Sequence, residues 1–221
     1  MERIVRQVLA LLKKDILLEL RNKNAISGMV LYVFSTIFIC YQSFKILPDV
    51  PVWNALFWII ILFASIHAVT KSFQHETQGR QYYYYLIADP LAVIVSKILY
   101  NVLLLIFLSM LSFIIYIVVL DNYIIDYVSF FTLLMMSSIG LASLLTMISA
   151  IASKAGNAAG LTAILGFPLM IPLLITIIKA SKGIADQLAF TNYSKYLFSI
   201  IGLDIVIMAL ALILFPYLWK D

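Results

Sequence analysis

Residues 91–120 read LAVIVSKILYNVLLLIFLSMLSFIIYIVVL, a run whose only formal charge is Lys97. A helix needs about 20 mostly apolar residues to cross the hydrocarbon core of a bilayer, so this stretch decides the class of the chain. Runs of the same character at about 26–46, 52–72, 124–152, 157–179 and 196–218 bring the number of expected spans to six. With 64% hydrophobic residues in 221, too little polar surface is left to coat a water-soluble globule. The expected fold is all-α, a polytopic membrane protein. Little chain lies outside the spans, so residues 1–221 are expected to form a single transmembrane domain. Of the acids, bases and histidines, His67 and Asp204 alone lie well inside the spans.

Immediately before this run, Asp89-Pro90 reads as an N-cap followed by proline at the first helical position, where its missing N–H is not needed. The helix is expected to run a turn or two at the interface before Lys97 snorkels, leaving residues 98–120 for the hydrocarbon. Further upstream lies a polar inner loop, Lys71-Ser-Phe-Gln-His75-Glu76-Thr-Gln-Gly79-Arg80. One reading is a solvated connection. The other is a short transverse helix that presents Glu76 and Arg80, four apart and able to pair, to a cytoplasmic partner. Tyr82 to Tyr85 follow as four consecutive tyrosines. Successive helical side chains point about 100° apart, so some of these rings must meet protein. At the N-terminus, Ile4, Val8, Leu11, Leu12, Ile16 and Leu20 recur at helical spacing with charges between them. Such a helix lies along the membrane interface or packs under the bundle. Its charges also break up any signal-peptide pattern, so the N-terminus is expected to be retained.

The formal net charge of +4 does not point to nucleic acid, because the basic residues stand beside span ends, where they anchor topology. Counted by alternate sides, eleven fall on one face (Arg3, Arg6, Lys13, Lys14, Arg21, Lys23, Lys71, Arg80, Lys97, Lys154, Lys220) and four on the other (Lys45, Lys179, Lys182, Lys195). Both termini are therefore expected on the cytoplasmic side. On the outer side, Pro48 and Pro51 punctuate the first connection and Asp121-Asn122 marks a tight turn. The stretch 180–195, with Lys182, Asp186, Asn192 and Lys195, is expected to be the longest external connection. Trp53, Trp58, Tyr217 and Trp219 fit interfacial aromatic belts.

Within the spans, small residues are dense from Ser137 to Ala163, and Gly156 and Gly160 form a GxxxG that permits close helix approach. Packing of spans four and five on each other and a seam between two copies of the chain are both open. Pro168 and Pro172 each remove a backbone donor from span five, which predicts a kinked or broken helix; a static kink and a helix that moves or lines a pathway are both open. Asp204, about eight residues into span six, is expected to face protein or water. A structural hydrogen bond and a role in a conformational cycle are both open for it. His67 is expected to snorkel or to bond a neighbouring span. With two histidines and one cysteine, Cys40, neither a metal cage nor an internal disulfide is expected. No GxxxxGK[ST], Ser-His-Asp set, HExxH or CxxC occurs, so the chain has no phosphate-cradling loop of its own and catalysis is not expected of it.

This arrangement, an N-terminal interfacial helix, six spans and a polar inner loop between spans two and three, resembles ABC-2-type exporter membrane subunits. Within them it is most similar to the haem exporter protein B family of cytochrome c maturation. The resemblance rests on Leu12-Lys-Lys-Asp-Ile-Leu-Leu-Glu-Leu-Arg21, on Glu76-Thr-Gln-Gly79, on Asp89-Pro90 with Lys97, and on Phe167-Pro-Leu-Met-Ile-Pro-Leu-Leu-Ile175. It implies a permease architecture paired with a cytoplasmic ATPase subunit that contacts Glu76 and Gly79. It also implies a haem-handling membrane subunit, a small membrane subunit and a periplasmic haem chaperone whose loaded form is released by ATP turnover. No cofactor is assigned to the chain itself; haem belongs to the complex. The tyrosine run stands where the family carries acidic residues and leucine, so the ATPase contact is not carried beyond the glycine. An exporter of lipid, glycan or drug and a non-transporting scaffold are the alternatives.

Overall fold

Three aspartates start three of the helices. Asp49 accepts a hydrogen bond from Val52 N at 3.1 Å, Asp89 from Leu91 N at 2.9 Å, and Asp126 from Ser129 N at 3.1 Å. Each carboxylate satisfies an amide that the first turn leaves without a partner. Pro51 and Pro90 sit in the first turns of their helices, where no N–H is required. The structure is a computed structural model that describes residues 2–21, 23–44, 49–74, 89–154 and 158–220. These form seven helices: α1 Glu2–Arg21, α2 Lys23–Phe44, α3 Val50–Gln74, α4 Pro90–Val119, α5 Tyr127–Lys154, α6 Ala158–Ala185 and α7 Phe190–Lys220. The six from α2 to α7 are long and apolar enough to cross a bilayer.

The bundle is organised around α5, which packs against α3, α4, α6 and α7. From Gly140 to Ala150 every residue of α5 is buried, so no face of that stretch is left for lipid. Its small side chains allow this, with Gly140, Ala142, Ser143, Ser149 and Ala150 all inside the bundle. The small-residue run of the sequence is thus occupied, over its described part, by packing within the chain. By contrast α2 is peripheral: among its described residues Met29, Val33 and Ile37 are buried against the rest, with Tyr32 and Cys40 packed beside them.

Helix boundaries differ from expectation at two connections. The fourth span begins at Tyr127 rather than 124, because Asp126 caps it. The stretch 180–195 is not a long external loop. α6 runs on to Ala185, and Leu188 N then donates to Gly183 O at 3.0 Å and Gln187 N to Ile184 O at 3.1 Å. With Gln187 left-handed at φ 54°, this is a Schellman ending. α7 starts at Phe190, and Tyr193 lies on Gly183 so closely that a Cβ there would stand 2.7 Å from the tyrosine Cβ. The connection shrinks to residues 186–189.

Candidate functional site

α1 packs lengthwise on the start of α4. Gln7 Oε1 accepts from Asp89 N at 3.3 Å, Asp15 Oδ2 lies 3.1 Å from Lys97 Nζ, and Glu19 lies beside Tyr100. From Gln7 to Glu19 and from Asp89 to Tyr100 the two helices advance together, so they run side by side in the same direction for about 18 Å. Asp15 is 7% and Lys97 4% exposed, and Lys14 Nζ adds a second cation 3.0 Å from Asp15 Oδ1. Lys97 therefore does not snorkel. Its ammonium turns inward because Asp15 and the flank of α1 cover it, and a buried charge stays charged only where a counter-charge meets it. The sequence held a signal for this joint. Asp15 falls four after Leu11 and seven after Val8, inside the apolar stripe of α1 rather than among its charges.

A second polar contact lies deep in the bundle. Asp204 stands near the middle of α7, not close to its start, because that helix begins at Phe190. Its Oδ1 is pressed against Gly140 of α5, sheltered from solvent and without a hydrogen-bond partner among the described residues. Leu173 of α6 closes the same spot, with its Cδ2 3.0 Å from where a Gly140 Cβ would stand. Pro168 and Pro172 lie on the exposed face of α6, which continues as one helix through both. A broken helix is thus not what the two prolines produce. Thr176 Oγ1 donates to Pro172 O at 2.7 Å. Between α4 and α5, Asn101 Nδ2 donates to Thr146 Oγ1 at 2.8 Å, and the Ser109 and Ser138 hydroxyls meet at 3.2 Å.

The end of the bundle away from α1 is closed by aromatic rings. Trp53 and Trp58 are buried at 0% and 1% exposure, so they are core residues and not a belt. Trp53 Nε1 donates to Asp121 O at 2.8 Å, Tyr116 donates its hydroxyl proton to Trp53 O at 2.9 Å, and Phe57 and Phe130 stack around them. The α4–α5 connection brings an acceptor to the buried Trp53 indole, whereas Trp58 Nε1 has none among the described residues. Beside this cluster Asn54 ties α3 to α6, donating to Ile178 O at 2.9 Å and accepting from Ser181 Oγ at 2.6 Å. Tyr217 is exposed, as a belt residue would be. His67 stacks on Tyr32 of α2 with ring centroids 5.7 Å apart. Among the described residues no three of His, Cys, Asp and Glu come together as metal ligands.

Glu76, Gly79, Arg80 and Tyr82–Tyr85 lie outside the described residues, as does Gly156; Gly160 falls in the first turn of α6. The segment 75–88 is bracketed by the end of α3 and by Asp89, the residue that Gln7 holds. A six-span helical bundle without a phosphate loop, carrying an amphipathic helix clamped to one of its spans, defines a polytopic membrane protein of permease type. The family model described as CcmB protein matches residues 6–217, and the chain belongs to the CcmB family. CcmB is the membrane permease subunit of the cytochrome c maturation ABC transporter, and ATPase activity lies in its partner CcmA. No curated protein matches the chain.

Proposed function

We propose that this chain transmits ATP turnover by CcmA to the release of a haem-loaded periplasmic chaperone, receiving the motion through residues 71–90 and α1. The observation that carries this reading is the tie between Gln7 and Asp89, which joins α1 to the point where that inner segment enters α4. Glu76, Gly79 and Arg80 are its ATPase-facing residues, and the segment with Pro168 and Pro172 and the contact at Asp204 relay the motion outward. Both termini lie in the cytoplasm and the chain sits in a bacterial inner membrane, a reading supported by eleven basic residues on one side against four on the other. The whole chain acts as one transmembrane domain. A haem-handling membrane subunit and a small membrane subunit complete the assembly. Gly156 and Gly160 serve close packing of α5 and α6, and a second copy of the chain is a further partner. The test is the double variant Glu76→Ala, Arg80→Ala in the assembled complex. It should keep ATP hydrolysis within about twofold and lower haem-stained cytochrome c at least tenfold, a loss of about 1.4 kcal/mol of coupling. Wild-type cytochrome levels would refute the assignment.

A further inference from the structure

We infer that α1 and the first three turns of α4 move as one body, and that the Asp15–Lys97 ion pair is the lock that makes them so. Both are then positioning residues for coupling, and not membrane anchors. The inference rests on the reading of residues 71–90 as the ATPase contact and adds where the push goes next.

Three contacts lie along the joint in one register: Gln7 bonded to Asp89, Asp15 paired with Lys97, and Glu19 beside Tyr100. The middle one is the most demanding, since both of its side chains are buried. Sliding α1 by one turn, about 5.4 Å, so that Leu11 came opposite Lys97 would draw these charges apart inside the buried joint. Such a state is roughly 10²–10³-fold less populated than the paired one. Apolar side chains of similar size could fill the same space and hold the helices together about as firmly, because desolvation offsets much of the attraction within a buried pair. What apolar side chains do not supply is a unique register, which is the best-attested use of a buried polar contact. Segment 75–88 enters α4 at Asp89, two turns before Lys97. A push arriving there meets α4 and α1 together if the lock holds, and α4 alone if it slips.

The test compares variants in the assembled complex, measuring ATP hydrolysed per cytochrome c matured together with thermal stability. Asp15→Leu, Lys97→Met should unfold within a few degrees of the parent yet spend at least fivefold more ATP per cytochrome. A parental ratio in this folded double variant would overturn the lock. As a second arm, Asp15→Cys, Lys97→Cys in a Cys40→Ala background is measured before and after joining by a short bifunctional thiol reagent. Joining should restore the ratio; a fully bridged, folded complex that stays uncoupled would overturn the inference, even if the first variant fails to accumulate. Failure of the ATPase contact is read separately. Parental behaviour of Glu76→Ala, Arg80→Ala alongside uncoupling of Asp15→Leu, Lys97→Met would remove the docking residues and leave the lock standing.

Discussion

Gly140→Ala tests the most closely fitted contact of the bundle. A Cβ at that position would overlap Asp204 Oδ1 outright, and it would stand 3.2 Å from Asp204 Cγ and 3.0 Å from Leu173 Cδ2. Gly140 is buried, so relief requires the Asp204 carboxyl to rotate off it or α7 to back away from α5. Overpacking of this kind costs about 1–3 kcal/mol. At about 2–4 °C per kcal/mol for a chain of this length, the melting temperature should fall by roughly 2–12 °C. The decisive measurement is the double-mutant cycle with Asp204→Ala, followed by thermal unfolding of the purified protein in one detergent. Asp204→Ala alone should be close to neutral, since it removes a sheltered carboxyl oxygen that has no partner among the described residues. In that background the added methyl finds room, so Gly140→Ala should lose most of its effect, giving a coupling of about 1–3 kcal/mol. Two results would refute the reasoning: a parental melting temperature for Gly140→Ala, or an equal loss whether or not Asp204 is present.

Two further outcomes follow from the same structure. A Trp219→Phe variant in bilayers with brominated acyl chains should keep most of its tryptophan emission, because Trp53 and Trp58 are walled in by protein; strong quenching would return them to an aromatic belt. Hydrogen bonds from the Ser129 side chain and backbone hold the Asp126 carboxyl below the usual aspartate range. That group therefore contributes stability in full above about pH 4, and the contribution fades as the pH falls through the folded value. Asp126→Asn keeps a capping oxygen but does not titrate, so its stability should fall less steeply into acid than the parent's. Superimposable acid profiles would contradict this.

The parts of the fold legible in the sequence are those governed by local chemistry. Asp89-Pro90 starts α4 as read, because a cap and a first-turn proline act on their own few residues. The 180–195 connection misled for an equally local reason. A helix ending of that type favours glycine or asparagine at the left-handed position, and here Gln187 occupies it. Gly183, a residue that punctuates loops, instead makes room for Tyr193 of the next helix. Lys97 departs from expectation because its counter-charge lies far upstream at Asp15; a lysine near a span end, taken alone, is expected to snorkel. Trp53 illustrates the same gap. Its neighbours Tyr116, Tyr123 and Phe130 come from beyond its own helix, and local sequence does not say which way an indole faces.

Why α5 should be the central helix follows from the solvent. Lipid tails are as apolar as leucine, so a span gains nothing hydrophobic by moving from lipid into a bundle. What it gains is close approach and interhelical hydrogen bonding, and α5 is equipped for both. Gly140 and Ala142 let neighbouring helices come near, while Ser137 and Thr146 return their hydroxyl protons to Leu133 O and Ala142 O of their own helix. Thr146 keeps its oxygen free to accept from Asn101, so one side chain serves its own backbone and a second helix. Membrane hydrogen bonds of this sort contribute about 0.6 kcal/mol each on average. Several are therefore needed to hold α5 in place, and no single one fixes it there. Contacts this weak hold a helix without freezing it, which suits a subunit whose energy arrives from CcmA.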